Sequence, residues 1–275
     1  MIVNSKILVP DFDQLAIPDN IGAVELGIEK WLNAANSDPD PSMSEFVKAC
    51  ITSPTLNRIL TFLFNNSPFL THSITEDIQF TRLLIENGTK IALEKVHNDL
   101  LWKNSENLSQ TDLMKLLRKS KRRFSVGLAV ADVFEKWSVP EVTESLSKFA
   151  EKVLCLTINT LLISAHKLGE INLHFPERPE KESGLIVLGM GKLGAKELNY
   201  SSDIDLIILF DQEKTNYTGK KTIQEFFVNL TKNLIRILEE RTVDGYVFRT
   251  DLRLRPDPRS TPLAISTNGA ETYYE

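Results

Sequence analysis

The sequence predicts a mostly helical region over residues 1–170, followed by an α/β (or α+β) core over residues 180–275. Three observations predict it. Apolar residues recur three or four apart as far as Leu168. After a polar link, Phe175–Ser183, with Pro176 and Pro179 in it, the period becomes strand-like. One further helical stretch, Thr222–Arg241, then lies among the later strands.

Taken in order, Gly22–Ala35, Met43–Ile51, Leu56–Phe64, Thr75–Glu86 and Lys90–Trp102 each carry the helical spacing. Two longer helices follow, Gln110–Trp137 and Glu141–Leu168. Ser109 suits the N-cap of the first, Pro140 the first turn of the second, and Gly169 its stop. Gly184–Leu188 and Asp203–Phe210 are short apolar runs that read as buried strands. In Thr222–Arg241, Phe226, Leu230, Leu234 and Leu238 fall four apart. Tyr246–Arg255 alternates as a strand, with Phe248, Thr250, Leu252 and Leu254 on one face and Val247, Arg249, Asp251, Arg253 and Arg255 on the other. Asn268–Glu275 looks like the start of a helix, so the core is expected to be incomplete at its C-terminal end and the chain truncated or cut.

With 42% apolar and 25% charged residues in 275, the chain is neither disordered nor fibrous. Its apolar runs fall far short of a membrane span; the longest, Ile204–Phe210, is interrupted by Asp205. Asp11 and Asp13 come too early for a signal segment. Two cysteines far apart, Cys50 and Cys155, fit a reducing cytosol, so a cytoplasmic location is expected. A net charge of −5 disfavours a general nucleic-acid binder.

The chemistry concentrates between Gly184 and Asp211. Gly189-x-Gly191-x-x-Gly194 follows a strand, and Asp211 lies 22 positions beyond Gly189, as in a dinucleotide-binding fingerprint. Against that reading, Gly194 to Asp203 leaves room for barely two helical turns, where a parallel crossover needs a dozen residues or more. The next strand also opens on two carboxylates, Asp203 and Asp205, which share a face because they are two apart. Carboxylates so close repel each other unless a cation lies between them, and hard oxygen donors of this kind suit magnesium. The glycine turn offers backbone N–H groups at Gly189 and Gly191, and Lys192 a point charge, to a phosphate. Asp251 adds a third carboxylate from another strand, among Arg249, Arg253 and Arg255. These are the parts of metal-assisted phosphoryl or nucleotidyl transfer.

The run Gly189-Met-Gly-Lys-Leu-Gly, with Glu197-Leu-Asn-Tyr-Ser-Ser-Asp-Ile-Asp-Leu206, resembles the signature of the glutamine-synthetase adenylyltransferase family. Arg249-Thr-Asp-Leu-Arg-Leu-Arg-Pro256 and Tyr273-Tyr274 are similar to its next block. Ala129–Asp132 and Leu146–Ala150 resemble its helical region, so the likeness covers residues 110–275 and, more loosely, the rest. The resemblance implies a nucleotidyltransferase-like core with a mixed sheet, and a bifunctional enzyme that adenylylates a tyrosine of glutamine synthetase and removes the AMP. Removal would be phosphorolytic, releasing ADP, and addition would use ATP. The PII signal protein and glutamine would set the balance. Met1 lies fewer than 190 residues before the glycine turn, which implies the N-terminal, AMP-removing half. Asp203, Asp205 and Asp251 would be catalytic and hold Mg2+, with Ser202, Arg253 and Arg255 as phosphate contacts. The alternative is a truncated, inactive module that binds glutamine synthetase or PII.

Other features read as structural. Asn199, Ser201 and Ser202 also suit plain turn chemistry. The basic run Lys115, Arg118, Lys119, Lys121, Arg122 and Arg123 reads as a solvated helix face. His72, His97, His166 and His174 lack metal-ligand spacing, and Trp31, Trp102 and Trp137 read as core.

Overall fold

The computed structural model describes residues 5–7, 18–102, 108–135 and 137–275; Asp11 and Asp13 lie outside the described residues. The chain divides into two compact units, residues 1–98 with 120–138 and residues 99–119 with 139–275.

The first unit is helical. Helix α1 (Ile21–Asn36) starts at Asn20, whose side chain accepts from the N–H of Ala23, and it buries Trp31 edge-on to Phe46. Helix α2 (Ser42–Thr52) buries Met43, Phe46, Val47 and Cys50, the spacing of one helical face. Helices α3 (Pro54–Asn66) and α4 (Pro68–Glu76) both begin with a serine cap, Ser53 and Ser67, and a proline at the first position. The helix expected over Thr75–Glu86 is instead the end of α4 and most of α5 (Ile78–Asn87). Asp77 makes the break, because its carboxylate accepts from the N–H of Phe80 and pairs with Arg123 at 2.7 Å. Helix α6 (Thr89–Asp99) follows. Helix α7 (Gln110–Val133), capped by Ser109 as expected, gives its first turns to the second unit and the rest to the first. Its basic run is only in part the solvated face expected: Lys115 and Lys119 are exposed, but Arg118 is 1% exposed and Arg123 is held by Asp77.

In the second unit, helix α8 (Val139–Lys167) carries Pro140 in its first turn and is followed by Gly169 at φ +72°. Strand β1 (Leu185–Gly189) leads through the single-turn helix α9 (Gly191–Gly194) into β2 (Ile204–Phe210). Strands β1 and β2 are antiparallel, with Gly189 opposite Leu206. On the other edge of β2 lie two short parallel partners, β3 (Thr250–Asp251) and β4 (Ala264–Ser266), so the sheet is mixed. Helix α10 (Ile223–Glu239) opens with a Thr222/Glu225 capping box. Its Phe227 stacks on Phe210 of β2 at 4.7 Å, and the helix also touches α8 and β4. Helix α11 (Thr267–Tyr274) is capped by Ser266.

The strand expected over Tyr246–Arg255 shrinks to Thr250–Asp251. Val247 and Phe248 are both buried, which a strand with one solvated face would not allow, and the N–H of Val247 is taken by Leu238 O. Among the described residues, no helix is long and apolar enough to cross a membrane.

Candidate functional site

The glycine turn is built around the start of β2. The N–H of Met190 donates to the backbone oxygen of Asp205 at 2.8 Å, which brings the turn over that residue. Gly191 has φ +52°, and a Cβ there would lie 2.5 Å from an Asp205 carboxylate oxygen. Only glycine permits both the left-handed conformation and so close an approach. At Gly194 a Cβ would meet the carbonyl oxygen of Gly189 at 2.5 Å, so the third glycine lets the turn close on itself. Because β1 and β2 are antiparallel, no parallel crossover exists here. Asp211 is a turn residue, its carboxylate accepting from the N–H groups of Glu213 and Lys214. The dinucleotide reading therefore has no support in the geometry.

Asp205 in β2 stands opposite Asp251 in β3. Burial, then the charges of Asp251 and Asp203, push the Asp205 carboxyl above its ordinary range, opposed by Arg253. The other two carboxylates are held by arginines. Arg249 Nε donates to Asp203 at 2.5 Å, and its Nη2 donates to the carbonyl of Ser201. Arg253 donates to Asp251 from its backbone N–H and from Nε and Nη2, which holds the Asp251 carboxyl below the usual range. With the side chains so turned, no group of three or more acidic, histidine or cysteine side chains among the described residues is arranged to hold a metal ion. The donor chemistry itself suits a hard cation: Asp205 is raised first by burial and then by the charges of Asp251 and Asp203, both near enough to be felt.

The remaining expected contacts divide. Gly189, Gly191 and Lys192 are exposed on the turn. The N–H of Ser202 donates to Asn199 O, so this serine does take part in a turn. Arg255 gives its guanidinium to the carbonyls of Leu252, Pro258 and Thr261, organising the loop after β3. His166 likewise has a structural partner, Ile171 O at 3.1 Å.

A cavity of about 610 Å³ opens beside Asp203 and Asp251, with Arg249, Arg253 and Arg255 in its wall. The lining residues that the sequence did not assign to a site include Glu239, Arg241 and Tyr246. One Glu239 oxygen accepts from both the N–H (2.6 Å) and the hydroxyl (2.7 Å) of Thr250, fixing β3 beside Asp251. A signal for it was present, since a glutamate at a helix C-terminus opposes the macrodipole and so calls for another partner.

The family model for glutamate-ammonia ligase adenylyltransferase matches residues 57–275. Several curated relatives carry the name bifunctional glutamine synthetase adenylyltransferase/adenylyl-removing enzyme. The one from Rhizobium meliloti (strain 1021) is 49% identical over 168 residues, which is 61% of this chain and 17% of the relative. That from Brucella suis biovar 1 is 41% identical over 217 residues, 78% of this chain and 22% of the relative. That from Bradyrhizobium diazoefficiens is 38% identical over 255 residues, 91% and 25% respectively. The chain thus spans at most 25% of the length of these three relatives.

Proposed function

Because the chain belongs to the glutamate-ammonia ligase adenylyltransferase family, we propose that its second unit, a nucleotidyltransferase-like core, transfers an adenylyl group to or from glutamine synthetase. The favoured direction is removal. An oxygen of orthophosphate attacks the adenylyl phosphorus, the bond to the tyrosine oxygen breaks, ADP departs, and the phenolate takes up a proton. Adenylylation from ATP is the paired reaction, in the cytoplasm and under the control of PII and glutamine.

The observation that carries this reading is Asp205 beneath the glycine turn, in register with Asp251 and near enough to both Asp251 and Asp203 to feel their charges. These three would hold Mg2+, which when bound supplies positive charge to the entering and leaving oxygens. The rest is work for the chain's own groups. The Gly191 turn lets backbone approach the Asp205 carboxylate closely, and Glu239 holds β3 in register with β2, Asp251 opposite Asp205. Arginines along the cavity favour an anionic second substrate, which supports phosphate as the attacking group. A phenol with a pKa near ~10 is a tolerable leaving group, so charge stabilisation matters more than a general acid.

Radiolabelled adenylylated glutamine synthetase, incubated with the chain with and without phosphate and magnesium, tests the reading. We expect label to leave as ADP only when both are present. Release as AMP, or at the same rate without phosphate, would refute phosphorolysis. Binding that persists in chelator without any release would favour the non-catalytic module.

A further inference from the structure

Four arginines line the cavity beside Asp203 and Asp251, and three of them are committed. Arg249 holds Asp203, Arg253 holds Asp251, and Arg255 fills its donors with loop carbonyls. Arg241 differs. Among the described residues it makes no hydrogen bond or ion pair, and its guanidinium lies over the Tyr246 ring, 5.4 Å from the centroid. A guanidinium held against a ring and not by an acceptor keeps its N–H donors for an oxyanion.

The backbone that carries this pair is pinned from behind. Thr242 and Gly245 exchange two hydrogen bonds of 3.0 Å, closing a tight hairpin between Arg241 and Tyr246. Beneath it sits Arg118, 1% exposed, donating to the carbonyls of Gly245 (2.8 Å), Ile237 (3.1 Å) and Glu240. Glu240 and Gly245 are the residues immediately before Arg241 and Tyr246. A buried guanidinium costs desolvation, and here that cost goes into fixing both ends of the segment that presents the pair.

We propose that Arg241 and Tyr246 form an anion subsite for a phosphate group, the attacking orthophosphate or the terminal phosphate of the nucleotide, with Arg118 as a positioning residue. The proposal rests on the function proposed above for its place in the reaction, and on the open guanidinium for its existence. Four arginines against Asp203, Glu239 and Asp251 leave the cavity positive, and its volume of about 610 Å³ accommodates a small phosphate-bearing ligand. The edge of Arg241 offers charge-assisted, bidentate bonds to phosphate oxygens, while the other three guanidiniums would first have to leave their partners.

Binding is measurable without glutamine synthetase. Inorganic phosphate, and separately ADP, would be titrated into the chain and into Arg241→Gln, Arg241→Lys and Tyr246→Leu, followed by phosphorus NMR line broadening. Arg241 and Tyr246 are exposed, so these variants should fold, and a urea melt confirms it. We expect Arg241→Gln to weaken phosphate binding about tenfold or more. Arg241→Lys should recover part of the affinity, and Tyr246→Leu should lose a smaller part. An equal loss for ADP would place the nucleotide's terminal phosphate in the subsite; a loss for orthophosphate alone would place the attacking group there. Equal phosphate affinity in the parent chain and Arg241→Gln, or no phosphate binding by the parent, would overturn the subsite. Phosphate-dependent ADP release with an unchanged KM for phosphate in Arg241→Gln would also overturn it while leaving the proposed function standing. Phosphate binding that depends on Arg241, with no ADP release from adenylylated glutamine synthetase, would do the reverse.

Discussion

Asp205 and Asp251 occupy opposite positions in the parallel register of β2 and β3, and after burial it is the Asp251 charge that does most to push the Asp205 carboxyl upward. The pair is held together by backbone pairing and by Glu239, against its own repulsion. Asp205→Asn removes one of the repelling charges. In chelator the variant should melt about 1–3 °C higher than the parent chain. Magnesium should raise the melting temperature of the parent and do so far less in Asp203→Asn/Asp205→Asn. An undiminished magnesium effect in the double variant would remove these residues from the ligand set.

Much of this arrangement was legible because it is local. The cap at Ser109, the apolar spacing of α1 to α3 and the glycine turn before Asp203 are written in neighbouring residues. Where the reading failed, a distant partner decided. Asp77 divides α4 from α5 while holding Arg123, 46 positions away in sequence. Arg118 looked like part of a solvated run and is buried because carbonyls 119 to 127 positions on receive it. The alternation after Tyr246 looked strand-like, but Arg253 and Arg255 bend back onto Asp251 and the loop carbonyls. Spacing two apart reports a shared face only where a ladder keeps the chain extended. The three carboxylates were found from residue type and spacing; Arg241 was not, because nothing in the sequence says which arginine is left without an acceptor.

The loop from the glycine turn to β2 is tied to α8 by a buried hydroxyl. Ser147 of α8 is fully buried; its Oγ accepts from the N–H of Leu198 at 3.1 Å and donates to Thr143 O at 2.9 Å. Ser147→Ala leaves the buried Leu198 N–H without its acceptor. The expected cost is about 1–3 kcal/mol in urea unfolding. Since that loop delivers Asp203, adenylyl release should fall in the variant even under conditions where it is fully folded. Unchanged stability would mean that water replaces the hydroxyl.

The two thiols should differ sharply. Cys50 is wholly buried in α2, and burial pushes its thiol up to about 12. Cys155 on α8 is exposed, although desolvation and Glu180 raise its thiol as well. At pH 8 an aromatic disulfide reagent should modify Cys155 slowly and Cys50 only after unfolding, because the thiolate is the reacting form. Reaction of both thiols at equal rates in buffer would show that α2 opens readily.

Lys121 gives a pH dependence of defined sign. Burial pushes its ammonium down from the usual 10.5 to about 8. Below pH 8 both the folded and the unfolded chain carry the proton, and the folded chain bears the full desolvation penalty. Between about 8 and 10.5 the folded form has shed the proton while the unfolded form keeps it. The unfolded state then binds more protons, so stability attributable to this lysine rises with pH across that window and levels off above it. At ~1.4 kcal/mol per pKa unit the whole effect is on the order of 3 kcal/mol. Lys121→Met should therefore be more stable than the parent chain at pH 7, by up to that amount, and the advantage should shrink toward pH 10. Urea midpoints of both proteins at pH 7, 8, 9 and 10 measure this directly. An advantage that does not change with pH would show that the gain comes from packing and not from the proton.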